Sequence, residues 1–424
     1  MGKSITSKIT ALLLLISVSA PVSAQKIIND ESEKQNTFIR YGADTLSFDK
    51  NSTTMRAFFD KFGKVVSSRK GNISIMHIGG SHVQAGTFSH RLRMNLLNNF
   101  TGLTADRGMI FPYSVGKKCN NPADYRVSKS NTLELCRNVY KNPERELGLC
   151  GIAVTACDST EWIKIRMNEH GTDFATKDIT VLGYSSVGNV VPYLEIAGYK
   201  VQPSHISLLT RRYTYKLPVA VDSFKIVIPC KDGDSFTLTG IYLGNRKPGI
   251  SLTSIGVNGA AVPDYLKCPY FCKDLSLVKP DLVIFGIGIN DAAGTNFDTV
   301  AFKNNYLRLI DSIRTVNPQC AFIFITNNDS YRKVGRRRYN VNQNGLLARD
   351  VFYRLAKETD GAVWDLFDIM GGLTSMTQWR DAKLGQPDRI HFTTAGYNLI
   401  GDMLYKAFIK EISYGDEQSE SFFF

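Results

Sequence analysis

Beyond residue 24 the chain lacks any apolar run approaching the roughly 20 residues that cross a bilayer, so no transmembrane helix is expected in the rest of it. Histidine is scarce, six in 424 residues, and no His-x-x-x-His occurs. Cys268-Pro-Tyr-Phe-Cys272 lacks a second close cysteine pair at zinc-finger spacing. These gaps argue against the common zinc sites, and no metal or organic cofactor is expected. There is no internal repeat and no low-complexity linker, which excludes solenoids and beads on a string. No cysteine stands near Ala24, so no lipid anchor is expected at that point.

What is present begins with an export signal. Lys3 and Lys8 precede the apolar run Ala11–Val18, and Val22-Ser23-Ala24 supplies the small residues of a signal-peptidase site before Gln25. Residues 1–24 therefore read as a removed signal peptide, and the mature chain as periplasmic or, second, extracellular. In that oxidising setting the even set Cys119, Cys136, Cys150, Cys157, Cys230, Cys268, Cys272 and Cys320 predicts one or more disulfides. The net charge is +12, and losing Lys3 and Lys8 leaves +10, which favours an anionic surface such as a cell-wall polymer or acidic glycan. The sharpest basic run is Arg332-Lys333-Val-Gly-Arg336-Arg337-Arg338. An exported chain rarely meets nucleic acid and no nucleic-acid motif surrounds the run. It reads as a solvated loop at a site mouth, with Asp329-Ser330-Tyr331 lining the pocket.

Three segments carry chemistry. In His77-Ile-Gly-Gly80-Ser81-His82-Val-Gln84-Ala-Gly86, an apolar strand turns through glycines into a helix. A serine at such an elbow presents its hydroxyl, and the helix start offers backbone N–H groups to an oxyanion. The second segment, Asp281 to Asn290-Asp291, is a buried strand ending in glycine with an amide and a carboxylate at its polar end, where parallel α/β sheets gather ligands. The third is Asp388-Arg389-Ile390-His391. A carboxylate three residues before an imidazole can hold it by Nδ1–H while Nε2 faces a serine, making His391 the base and Asp388 its orienter.

These segments resemble the SGNH hydrolases, the GDSL-like lipase and acylhydrolase superfamily, specifically an exported bacterial branch whose first block reads Gly-Asp-Ser-His. The resemblance covers about Asn72 to Tyr113 and Gly249 to Lys410. It implies Ser81 as nucleophile, with His82 and Gln84 fitting the branch. Gly288-Ile-Asn290-Asp291 matches the block whose asparagine binds the oxyanion, and Asp388 and His391 match the Asp-x-x-His block. The remaining glycine block falls on Ser254-Ile-Gly256-Val-Asn258-Gly259, where Gly259 would donate its N–H and Gly256 is the rival. Gly80 stands where the family has an aspartate that supports the loop. His82, Gln84, Asp291 and Tyr331 are assigned to substrate binding.

The rest of the pattern predicts a doubly wound parallel-sheet α/β/α fold, flavodoxin-like, with an inserted antiparallel β-sandwich-like domain. The expected boundaries are an extension over 25–49, the first part of the hydrolase domain over 50–113, the insert over 114–248, the second part over 249–412 and a tail over 413–424. Alternation at Phe224, Ile226 and Ile228 and at Phe236, Leu238 and Tyr242 marks strands of the insert. Related esterases carry a carbohydrate-binding insert, which makes Trp162, Tyr184, Tyr193 and Tyr213 candidates for sugar stacking. The expected function is a serine esterase removing small acyl groups, O-acetyl first, from a glycan such as peptidoglycan. No strongly apolar loop suggests a lipase lid. Two other readings use the same fold: a non-catalytic glycan-binding scaffold, and an O-acyltransferase with the same triad.

Overall fold

The computed structural model describes residues 35–412 except 104–105, 117–118, 158, 168–173, 232 and 337. The expected signal peptide and C-terminal tail lie outside the described residues. A six-stranded sheet forms the centre, in the order Leu46–Ser47, Ala362–Trp364, Ala321–Ile325, Leu282–Gly286, Asn72–Gly79, Gly249–Gly256. The first strand is antiparallel and the other five are parallel. Numbered along the chain, the parallel strands run 2-1-3-4-5, the flavodoxin-type order, whose switch point lies between Asn72–Gly79 and Leu282–Gly286. Loops leaving those two strands diverge and open a crevice at their carboxyl ends.

The strands are apolar on both faces because both are covered. Ile73, Ile75, Leu282 and Ile284 pack on one side with Phe58, Phe62, Leu92, Met403 and Phe408. These come from helices Thr53–Ser68, Thr87–Asn99 and Thr394–Ile409. The first helix is capped by Ser52, whose hydroxyl accepts from the Met55 N–H, and its apolar residues recur at three- and four-residue spacing. Thr393 caps the last helix. A side chain at Gly396 in its first turn would lie 2.1 Å from the Leu384 carbonyl oxygen, so only glycine lets that turn dock.

On the opposite face Met76, Ile78, Val283 and Phe285 share one buried cluster with helices Thr299–Val316 and Asn344–Glu358 and with a β-sandwich. Its smaller sheet runs Tyr199–Val201, Tyr193–Ile196, Ser223–Pro229, Thr160–Arg166, Arg126–Lys129. The larger runs His205–Ser207, Arg212–Val221, Thr176–Ser185, Ser235–Gly244, Ile152–Cys157, Glu134–Arg137. Strand Gly108–Ile110 also pairs with Ser235–Gly244, so this part of the first hydrolase segment is built into the antiparallel sheet. Ile163, Phe224 and Ile226 of one sheet and Val181, Phe236 and Leu238 of the other fill the space between them.

Two expectations are corrected here, and the last residues of the 25–49 extension join the fold. All eight cysteines are free thiols, most of them buried as small apolar side chains, and no disulfide forms. The polar segment before residue 50 is partly ordered, since Leu46–Ser47 extends the parallel sheet and Asp44 accepts from the Trp364 indole N–H at 2.9 Å. Tyr213 is a core residue, 2% exposed and packed edge-on against Phe236, so it cannot stack on a sugar.

A buried charge cluster ties the segment after the Thr87–Asn99 helix to the Gly249–Gly256 strand. Arg107 hydrogen-bonds Asp124 through two nitrogens, and Arg93 donates to the Leu252 carbonyl at 2.9 Å. Burial alone would push the Asp124 carboxyl up, but Arg107 and Arg93 outweigh it and hold it below the usual carboxylate range. Asp124→Ala strands two buried guanidinium groups, and should cost about 3–5 kcal/mol in denaturant unfolding. A loss under about 1 kcal/mol would show that the cluster does not hold this junction.

Candidate active site

At the switch point the Asn72–Gly79 strand ends and Ser81 opens a short helix, Ser81–Gln84, whose turn is closed by Val83 and Gln84 N–H groups donating to the Gly80 carbonyl. The turn holds the serine side chain at the crevice. Ser81 Oγ lies 2.7 Å from His391 Nε2, and His391 Nδ1 lies 2.7 Å from Asp388 Oδ2. The other Asp388 oxygen accepts from the backbone N–H groups of Ile390 (2.9 Å) and His391 (3.0 Å). Burial pushes the Asp388 carboxyl up, but the His391 ring bond and these backbone donors outweigh it and hold it at about 2.

That charge state fixes the tautomer. An ionised carboxylate can only accept, so the proton on the Asp388 side of His391 belongs to Nδ1. In a neutral ring with that tautomer Nε2 is the acceptor for the Ser81 hydroxyl, the arrangement a general base needs.

Asn290 follows the Leu282–Gly286 strand on the other side of the crevice. Its Nδ2 donates to the Ala260 carbonyl at 3.0 Å, which uses one of its two amide hydrogens and leaves the second. Ala260 closes a turn by donating to the Val257 carbonyl at 2.9 Å, and Gly259 inside it has φ +84°, with open space around its Cα. Such a φ favours glycine in the third position of this turn. The rival Gly256 is a strand residue with no such freedom. Its N–H faces the Tyr113 hydroxyl at 3.3 Å, and a side chain there would strike Gln84 N at 2.6 Å. Gly80 touches both halves of this arrangement: a Cβ on it would stand 3.3 Å from Ala260 O and 3.3 Å from Asn290 Nδ2. No carboxylate stands at this position, and the Ala260 carbonyl of the 257–260 turn holds the asparagine amide.

Each residue assigned to substrate contact also has a hydrogen-bond partner within the protein. Gln84 is 1% exposed, and its Oε1 accepts from the Asn258 N–H at 2.8 Å, fixing the turn that carries Gly259. His82 lies behind His391, ring centroids 5.0 Å apart, with Nδ1 2.8 Å from the Tyr397 hydroxyl. Burial and then the neighbouring His391 push its pKa down to about 3, so it stays neutral and does not compete as a base. Asp291 accepts from the Val262 N–H through both oxygens, at 3.1 and 3.2 Å. Tyr331 lines a cleft beside Asn290, but its hydroxyl lies 2.7 Å from Thr377 Oγ1. Asp329 is fully buried and accepts from the Met376 N–H rather than facing the pocket.

The basic run is a two-stranded hairpin, Tyr331–Gly335 with Arg338–Val341, in place of a simple loop. It grips the triad segment at Arg389, a residue that sequence reasoning missed. Arg389 adopts a left-handed φ of +59°, and its guanidinium stands 5.0 Å from the Tyr331 ring and 5.0 Å from the Tyr339 ring. The Tyr331 N–H donates to the Arg389 carbonyl at 3.1 Å. The Asp388–His391 turn is thereby held from both its backbone and its side chain.

Burial pushes the Asp291 carboxyl up to about 7 despite the Val262 N–H, and it does the same to Asp274. Both therefore hold a proton more tightly in the folded chain than at the ordinary value of 3.8. Their contribution is full below that value and is lost as pH rises through about 7. Thermal midpoints should fall between pH 5 and pH 8, and the fall should be shallower in Asp291→Asn. An unchanged slope in that variant would remove Asp291 from the account.

Residues 239–399 match the GDSL-like Lipase/Acylhydrolase family. A search of curated proteins gives no match. Among solved structures, a peptidoglycan O-acetylesterase shares the fold with a TM-score of 0.71 at 18% identity, over 87% of this chain and 99% of that one. A family two carbohydrate esterase from Clostridium thermocellum is 12% identical over 67% of this chain and 100% of its own, with a TM-score of 0.30. An acetyl xylan esterase is 18% identical over 37% of this chain and 80% of its own, with a TM-score of 0.29. The last two superpose too loosely to bear on the argument. The GDSL-like lipase and acylhydrolase pattern thus lies on residues 239–399, and the chain shares its fold with a peptidoglycan O-acetylesterase.

Proposed function

We propose that the protein is an exported serine esterase that removes O-acetyl groups from a glycan, with peptidoglycan as the first candidate. The observation that carries this reading is the hydrogen-bonded series Ser81–His391–Asp388 at the switch point of the sheet. Ser81 Oγ attacks the acyl carbonyl while His391 Nε2 takes its proton. The oxyanion is held by the Ser81 and Gly259 N–H groups and the remaining amide hydrogen of Asn290. His391 then protonates the departing sugar oxygen as its bond to the acyl carbon breaks. A water, deprotonated by His391, attacks the acyl-Ser81 ester, releasing acetate and regenerating the hydroxyl. Asp388 stays ionised and keeps His391 in the reactive tautomer.

The choice of an acetylated glycan is supported by three things: the positive charge of the chain, the export signal read from residues 1–24, and the fold shared with a peptidoglycan O-acetylesterase. In the β-sandwich, Trp162 and Tyr193 are half-buried rather than core residues, so they keep the sugar-stacking role; Tyr184 is committed to the Glu146 N–H at 3.0 Å.

The test is acetate release from O-acetylated peptidoglycan, beside acetylated xylan and a long-chain aryl ester. Release from the wall polymer with little turnover of the long-chain ester is expected, and the reverse order would overturn the glycan assignment. Asn290→Ala should lower kcat by ~10²–10³ with little change in KM, because the amide acts on charge that develops only in the transition state. A change in KM alone would assign Asn290 to ground-state binding.

A further inference from the structure

The crevice continues past Asn290 and Ile390 into a cleft of about 560 Å³, walled on its far side by the 331–341 hairpin. Its lining includes two cations, Arg332 and Lys333, and no carboxylate. Arg332 is fixed across the cleft by a hydrogen bond from Nη1 to the Gly294 carbonyl at 3.1 Å, and that bond leaves most of its donors unused. Lys333 is exposed, and neither cation forms an ion pair among the described residues. The hairpin that carries them is fastened to the triad by Arg389, between Tyr331 and Tyr339. Unpaired cations on a braced hairpin, in a cleft that shares Asn290 with the reacting centre, are complementary to a negative group near the scissile ester.

We infer that Arg332 and Lys333 form a carboxylate subsite, so that the substrate is an O-acylated acidic glycan whose free carboxylate lies on or next to the acylated sugar. This rests on the esterase reading of the same site and narrows its substrate. Selection works by charge: an acidic glycan gains Coulomb attraction in the cleft, while a neutral acetylated glycan leaves both cations hydrated. The gain should shrink with ionic strength, because the cleft is open to solvent.

The experiment compares an O-acetylated muramyl oligosaccharide bearing a free carboxylate with its carboxamide. kcat/KM is read on both for the wild type, Lys333→Glu and Arg332→Gln, with thermal unfolding as a control for folding. The wild type should prefer the acid by about tenfold or more at low salt, mostly through KM, and the ratio should fall towards one in both variants. A wild-type ratio near one, or a preference that survives in both folded variants, would overturn the subsite. Calorimetric binding of acid and amide to Ser81→Ala reads the same preference without turnover. Failure of the esterase reading would abolish acetate release and leave the binding preference; failure of the subsite would remove the preference and leave acetate release.

Discussion

Ser81→Ala should lower turnover of a simple aryl acetate by about 10⁴–10⁶-fold, leaving only what the oxyanion donors and binding give over water. The size follows from the geometry. Ser81 Oγ donates to His391 Nε2 at 2.7 Å, and no other hydroxyl bonds that nitrogen among the described residues. Removing the hydroxyl removes the covalent intermediate, and a water in its place would lack the fixed approach that the Gly80–Ser81 elbow gives. His391→Ala should lose a similar amount, and the double variant little more, since the two residues act as a unit. Additive losses would contradict that unit.

Asp388→Asn should cost about 10³-fold in kcat with KM little changed. The carboxylate accepts from His391 Nδ1 and from two backbone N–H groups. An amide can keep one acceptor but can turn its NH₂ towards the ring, favouring the tautomer with its proton on Nε2 and disabling the base. The side chain of Asp388 is 49% exposed, so water can relieve part of this, which places the loss below the ~10⁴ of a fully buried orienter. The measurement is kcat on the aryl acetate across pH. A loss under about tenfold would mean that the backbone of the 386–391 turn, rather than the carboxylate, sets the orientation of His391.

The candidate triad and Asn290 are legible in the sequence because they sit where local patterns are strongest. A buried strand running into glycines announces Ser81, a second one announces Asn290, and a carboxylate three residues before an imidazole is a contact that a single turn closes. The strands Ala321–Ile325 and Leu282–Gly286 and the helices Thr299–Val316 and Asn344–Glu358 follow from apolar runs and helical spacing in the same way. What escaped depends on contacts far apart in the chain. Gln84 read as a substrate residue because a polar side chain after the elbow is ambiguous until Asn258, distant in sequence, is seen to donate to it. What favours Gly259 over Gly256 is the Tyr113 hydroxyl and φ, neither of which leaves a mark in a run of small residues. Arg389 carries no signal of its own between Asp388 and His391. Its role needs the two tyrosines of a hairpin that had read as a solvated basic loop. The thiols misled because an even count in an exported chain says nothing of distance, and burial suits cysteine as well as a disulfide does.

The most direct test of the central claim is peptide mapping of the protein after reaction with a fluorophosphonate, which phosphonylates an activated serine with loss of fluoride. The account predicts one adduct, on the peptide containing Ser81, abolished in Ser81→Ala and strongly slowed in His391→Ala. An adduct on another serine, or none on a folded protein, would contradict it.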